Sequence, residues 1–198
     1  LETLAIVSEQ SETQTATYLW TALQEGLILP QSEVYKFYFG EEKQIKGANI
    51  SQVVNYRFLH DRVQQAAYSL IPEDQKQITH YHIGRLFYET FSETEREERI
   101  FDIVNQFNIG IELITEESNR NQLAKLNLLA GRKAKTATAY NAATDYLKLG
   151  IDLLPPASWE NYYDLTLALY EEAAEAAYLS TNFEQMNQLV KDIHNCVK

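Results

Sequence analysis

The sequence has 198 residues, 45% hydrophobic and 23% charged, so it is long enough to bury a core and too apolar for a disordered chain. Its 17 Lys and Arg stand against 28 Asp and Glu, and the net charge of −11 argues against a nucleic-acid-binding protein and against a peripheral protein of anionic membranes. A single cysteine, Cys196, excludes an internal disulfide framework. No apolar run nears the roughly 20 residues of a membrane span, and no signal peptide is recognisable, so a cytoplasmic location without membrane insertion is expected. The chain begins at Leu1 rather than Met and reads as a piece of something larger. Its 7 Gly and 4 Pro predict a mostly helical fold.

Residues 1–71 read as helix, helix, hairpin, helix. Leu1–Val7 looks like the end of a truncated helix. Ser11 or Thr13 suits the cap of a second helix that runs to about Glu25, with Ala16, Leu19, Trp20 and Leu23 at helical spacing. Gly26 stops it, and Leu27, Ile28 and Leu29 lead into Pro30. Val34–Phe39 and Val53–Phe58 are rich in β-branched and aromatic residues and predict two strands of a hairpin, with a polar tip over Gly40–Gln52. A third helix follows at His60–Ile71, with Leu59, Val63, Ala66, Ala67 and Leu70 on one face. Helices and a hairpin in this order make a winged-helix pattern, a compact helix-turn-helix variant.

Pro72 opens a second region, 72–198, which reads as helix after helix: about 73–91, 95–114, 119–137, 139–154, 158–180 and 183–197. Ser92–Arg99 is charged and reads as a turn plus a solvated first turn. Pro155 and Pro156 end a helix. Ala130, Gly131, Ala134, Tyr140, Ala143, Leu147, Gly150 and Pro155 fall at the spacing of a tetratricopeptide repeat, in which small residues let two antiparallel helices approach. The set recurs, weakened, as Ala173, Ala174, Ala177, Phe183, Met186 and Val190. The offset from Tyr140 to Phe183 is 43 residues rather than the roughly 34 of the standard repeat, so the first helix of each pair is lengthened. A plain helical bundle is the alternative; either way the architecture is stacked helical hairpins.

Little in the sequence suggests chemistry. There is no G-x-x-x-x-G-K-[ST] and no G-x-G-x-x-G, so the chain alone should not hydrolyse nucleotide and no catalytic residue or resident cofactor is expected. His80 and His82 stand two apart on a helix and face different ways, which gives no metal site. The winged-helix pattern raises DNA binding, but no basic residue precedes Lys36, and phosphate contacts supply most non-specific DNA affinity. The most informative segment is Tyr56–Leu70, where a His60-Asp61 pair leaves a strand and opens a helix. Asp61 in the first turn suits the helix dipole. His60 either caps a free backbone N–H or points outward to a phosphate bound elsewhere, which a helix N-terminus favours.

The run Phe58-Leu-His-Asp-Arg-Val-x-x-Ala-Ala-Tyr68 resembles the end of the winged helix in signal-transduction ATPases with numerous domains (the STAND class). It is similar to the Met-His-Asp motif of plant immune receptors, with Leu59 in place of Met. Leu19–Leu29 resembles the same winged helix. His82-Ile-Gly-Arg-Leu86, Phe101–Asn108, Leu126–Lys135 and Ala139–Ala143 resemble one narrower group, the large bacterial and often cyanobacterial multi-sensor serine/threonine and histidine kinases. The resemblance implies that residues 1–71 are an N-terminally truncated winged-helix-like subdomain and 72–198 a tetratricopeptide-like region. It implies ADP or ATP bound by an upstream ATPase domain of a kinase parent, with His60 contacting the β-phosphate of ADP and Asp61 stabilising the local turn. The implied partners are adjacent domains of the same polypeptide and, on the helical repeats, possible binding of a separate protein; no nucleic acid is expected. A passive protein-interaction module is the alternative, in which whichever of Tyr140, Tyr162, Tyr163, Tyr170 and Tyr178 are exposed would bind the partner; core packing is their other reading.

Overall fold

The computed structural model describes residues 1–31 and 55–196. They form eleven α-helices and a small two-stranded sheet, and they divide into two compact units, Leu1–Lys76 and Gln77–Lys198. The expected strand Val34–Phe39, the tip Gly40–Gln52, and Val53 and Val54 lie outside the described residues.

In the first unit, α1 (Glu2–Ser8) and α2 (Glu12–Gln24) are joined by a turn in which Glu9 takes a left-handed φ of 52°. Ser11 starts α2 with a capping box: its hydroxyl accepts from the Gln14 N–H, and the Gln14 side chain accepts from the Ser11 N–H. β1 (Ile28–Pro30) pairs antiparallel with β2 (Tyr56–Phe58), Ile28 opposite Phe58 and Pro30 opposite Tyr56. The sequence predicts Leu27, Ile28 and Leu29 only as a lead into Pro30, whereas Ile28–Pro30 form a strand. Pro30 fits because the next ladder bond is made one residue on, by the Gln31 N–H to the Asn55 carbonyl at 2.9 Å, and Pro30 itself, opposite Tyr56, is asked for no donor. α3 (Asp61–Ser69) follows β2 directly. Of the described residues of this unit, Leu1, Ala5, Thr15, Ala16 and Ile28 are buried, whereas Trp20, Leu27, Phe58, Leu59, Tyr68 and Leu70 are exposed.

The second unit is built from three helical hairpins. The first pairs the part of α4 (Glu73–Thr90) that lies in this unit with α6 (Ile100–Ile109). Their approach is set by glycine: a Cβ on Gly84 would come within 3.1 Å of the Phe107 ring, and one on Gly110 within 2.9 Å of the Gln77 carbonyl oxygen. Between them, α5 (Glu93–Glu98) replaces the expected turn and solvated first turn. Ser92 and Glu95 form a second capping box that starts this short helix, and Arg99, at φ −105° and ψ 27°, ends it. The expected helix 95–114 is thus broken at Arg99 and closes in a 3₁₀ turn over Ile111–Leu113.

The second hairpin is α7 (Glu117–Thr136) with α8 (Tyr140–Asp152), and the third is α10 (Tyr163–Leu179) with α11 (Phe183–Cys196). A four-residue helix, α9 (Ser158–Asn161), precedes α10 and is separated from it at Tyr162, so the expected single helix 158–180 is divided. The Thr166 hydroxyl bridges the break by donating to the Ser158 and Tyr162 carbonyls at 3.1 and 2.9 Å.

The two hairpins share one design, displaced by 43 residues. Thr138 and Thr181 both adopt a left-handed conformation, φ 60° and 63°. Ala139 N–H donates to the Ala134 carbonyl at 2.9 Å, and Asn182 N–H to that of Ala177 at 2.8 Å. These bonds satisfy carbonyls that the helix end leaves open. α7 packs on α8, α8 on α10 and α10 on α11, while α7 also meets α10. Small residues decide the closeness: a Cβ on Gly131 would lie 2.5 Å from Leu147 Cγ, and one on Gly150 would lie 2.6 Å from Leu169 Cδ2. Ala130, Ala143, Leu147, Leu169, Ala176 and Ala177 are fully buried. The recurrence is partial: in α11 only Leu189 is buried, and Phe183 and Val190 are exposed.

An ion network ties α7 to α10. Arg132 Nε donates to Glu172 Oε1 at 2.8 Å, Lys135 bonds the other Glu172 oxygen, and Lys135 reaches Glu175 as well. Burial pushes the Glu172 carboxyl up, but the hydrogen bonds and charges of Lys135 and Arg132 outweigh it and hold the group below its ordinary value. For Lys135 burial pulls downward, and the two carboxylates outweigh it and raise the group.

Gly131→Ala destabilises the protein by about 1–3 kcal/mol in urea unfolding, and adding Leu147→Ala costs less than the two single effects summed, because the small side chain relieves the clash. Glu172 is depressed on folding, so its contribution is present above its unfolded value and is lost as pH falls through its folded one. The difference in melting temperature between the native chain and Glu172→Gln therefore shrinks on acidification from about pH 6 to about pH 3.

Candidate functional site

The sequence points to the junction of β2 and α3. β2 ends at Phe58, and the Leu59 N–H still donates to the Leu27 carbonyl at 3.0 Å, which anchors the chain one residue before His60. His60 is the N-cap of α3, with extended backbone at φ −141° and ψ 150°. Its carbonyl accepts the first bonds of the helix, from the N–H groups of Val63 at 2.9 Å and Gln64 at 3.3 Å. Its imidazole makes no capping hydrogen bond and is exposed, so of the two uses read from the sequence the cap is not made. Asp61 occupies the first turn, also exposed, where its charge complements the helix dipole. His60 and Asp61 are thus neighbours at the start of one helix, with side chains free of the core.

The apolar residues of this segment are mostly exposed. Val63 is half-buried, while Ala66, Ala67, Leu70, Phe58 and Leu59 are exposed, Leu70 to 83%. Of the residues expected on one face of this helix, Val63, Ala66 and Ala67 lie within it, while Leu59 precedes its N-cap and Leu70 is its C-cap. Lys76 Nζ lies 4.8 Å from the Tyr68 ring centroid.

Other sequence candidates resolve simply. His80 Nδ1 lies 2.6 Å from Gln106 Oε1 in the α4–α6 hairpin, while His82 is exposed. Among the described residues no group of His, Cys, Asp and Glu could hold a metal ion, and no helix is long and apolar enough to cross a membrane. Cys196 is exposed. The tyrosines divide: Tyr140, Tyr162 and Tyr170 are half-buried, Tyr162 donating to Glu117 Oε1 at 2.8 Å and Tyr170 packing on Trp159, whereas Tyr163 and Tyr178 are exposed.

Two features escaped sequence reasoning. One is a cleft of about 270 Å³ between α4, α6 and α7, walled by Tyr81, Tyr88, Phe107 and Leu123 and rimmed by Arg85 and Gln122. Gln122 Nε2 donates to Tyr88 Oη at 3.1 Å, and the Arg96 guanidinium lies 4.3 Å from the Tyr88 ring centroid. The signal was present as Tyr81, Arg85 and Tyr88 at helical spacing. The other is a reciprocal amide pair: Asn108 Nδ2 donates to Asn127 Oδ1 at 2.9 Å, and Asn127 Nδ2 returns the bond at 3.0 Å. Asn127 is fully buried and also donates to the Leu123 carbonyl at 3.1 Å.

The amide pair gives the sequence segments Phe101–Asn108 and Leu126–Lys135 a physical meaning, since each contributes one asparagine. Lys133 Nζ, in the second segment, donates to the Glu97 and Glu98 carbonyls and so closes the end of α5. Phe101 stacks on Tyr146 of α8, whose hydroxyl donates to Asn105 Oδ1 at 2.8 Å. Burial raises the Tyr146 hydroxyl's pKa despite that bond.

This chain is 30% identical over 167 residues to hybrid signal transduction histidine kinase G of Dictyostelium discoideum, a match that takes in 72% of the chain. The chain spans about 5% of the length of that curated relative. No protein-family model matches the sequence, and no solved structure matches it. The similarity supports a signal-transduction kinase context for this sequence.

Proposed function

We propose that this chain is a non-catalytic connector of a multi-domain signal-transduction kinase of the cytoplasm, carrying the nucleotide state of an upstream ATPase domain towards downstream sensor and kinase domains. The observation that carries the reading is the similarity to a hybrid histidine kinase that takes in most of this chain and a small fraction of that protein, as a segment of a large kinase would. Residues 1–71 act as a winged-helix-like element of a STAND-type ATPase and 72–198 as tetratricopeptide-like hairpins. ADP or ATP is held by the upstream domain, and the chain's partners are its neighbours in the same polypeptide.

His60 is the sensor in this reading and Asp61 steadies the turn beneath it. An exposed imidazole at the start of α3, uncommitted to a cap, supports that role. A ligand shifts a two-state equilibrium only by its differential affinity for the two states. One charge-assisted hydrogen bond to phosphate, worth about 1.5–3 kcal/mol, biases it by one to two decades.

The test uses the parent polypeptide with its ATPase domain. His60→Ala is expected to lower retention of co-purifying ADP by about ten- to a hundredfold, as that bond predicts. The same substitution in this chain changes unfolding free energy by less than about 0.5 kcal/mol, since no capping bond is lost. Equal ADP retention would remove the sensor role and leave a scaffold. The α4–α6–α7 cleft favours that second reading, an interaction module, and Tyr88→Ala that abolishes partner capture without lowering stability would support it.

A further inference from the structure

The 43-residue displacement that carries α7–α8 onto α10–α11 also carries the apolar residues of α8 onto residues of α11. Ala143 falls on Met186, Leu147 on Val190 and Gly150 on Ile193. Burial does not follow. Leu147 has no exposed surface, and Val190 is 50% exposed; Tyr140 is half-buried, and its counterpart Phe183 is 53% exposed. The cause is the number of neighbours: α8 lies between α7, where Leu147 sits on Gly131, and α10, where Leu169 sits on Gly150. Among the described residues α11 is packed chiefly by α10. Its remaining apolar surface continues onto α10, where Tyr178 is exposed and meets the Phe183 ring edge-on at 6.0 Å. Val190 lies two turns along the same helix face as Phe183.

We propose that this strip is the docking surface for one further amphipathic α-helix, seated on α11 as α10 is seated on α8. The inference rests on the reading of the chain as a segment of a larger polypeptide, which supplies the helix. The seat defines the helix's chemistry. α10 brings Leu169 to a glycine, but the counterpart of Gly150 is Ile193, so the incoming helix carries alanine or glycine where α10 carries Leu169. α10 brings Glu172 to Arg132 and Lys135, but their counterparts are Glu175 and Tyr178. The incoming helix therefore carries a basic or neutral residue where α10 carries Glu172, because a carboxylate there would face Glu175. Repeats that bury their apolar face only by stacking on a neighbour give the same expectation in general form.

The experiment places a reporter at the centre of the strip: Val190→Cys with Cys196→Ser, alkylated with N-ethylmaleimide in this chain and in the longer parent polypeptide. The expected result is alkylation slower by about tenfold or more in the longer polypeptide, since the thiol reacts only when the docked helix opens locally. Adding Phe183→Glu to the longer polypeptide restores the fast rate. Hydrogen exchange of the α11 amides in the unsubstituted proteins gives the same comparison without altering the strip. Equal rates and equal exchange in the two polypeptides overturn the proposal. So does alkylation of this chain that slows as its concentration rises, with a dimer mass in light scattering, which assigns the strip to a second copy. ADP retention in His60→Ala reads the connector role independently, so failure of one is distinguishable from failure of the other.

Discussion

Leu147 rests against Gly131 so closely that a single added methyl would come within 2.5 Å of its Cγ, and the second unit is organised about that contact. Once Leu147 is fixed on α7, the adjoining stripe of α8, three residues on, presents Gly150, which accepts Leu169 from α10. Large and small residues thus alternate in role between successive helices, and close approach is gained without voids. Alanines at 130, 134, 143, 173, 176 and 177 complete the layer. The charged bonds of Arg132 and Lys135 lie at its margin, where they order α7 against α10 but add less than the apolar contacts beneath.

The segments that carry the kinase resemblance interlock in space. Gly84 faces Phe107, Asn108 bonds Asn127, and Gly131 seats Leu147. The first joins α4 to α6 across the short α5, the second α6 to α7, and the third α7 to Leu147 of α8, just beyond the last resembling segment, so these residues specify a scaffold. The His60 segment differs in kind, because its distinctive side chains contribute nothing to the described core. That contrast separates the residues that hold this chain together from those whose side chains stand clear of its described core.

Much of the second unit was legible because glycine, alanine and proline mark helix contacts and ends directly. α8 was bounded by Pro155 on one side and the Thr138 turn on the other, and α11 began where the 43-residue offset put it. The break at Arg99 was not legible. Helical periodicity runs through it, and what divides α5 from α6 is tertiary: the Arg99 guanidinium lies 4.3 Å from the Phe91 ring centroid, and Lys133 takes the preceding carbonyls. β1 was missed because three residues ending in proline carry no alternation to read. For the candidate site, the sequence placed His60 at the head of α3, but the choice between cap and free imidazole is one of side-chain rotamer, which no spacing encodes.

The Asn108–Asn127 pair has a mechanical consequence. Two amides that satisfy each other between α6 and α7 do so in one register; sliding α6 along α7 by a turn would break both bonds and leave the buried Asn127 side-chain carbonyl oxygen unsatisfied, at about 1–3 kcal/mol. Tilting the hairpins as bodies keeps the bonds. The joint therefore resists shear more than it resists rotation, and a force applied at one helix is passed along the stack as a change of angle.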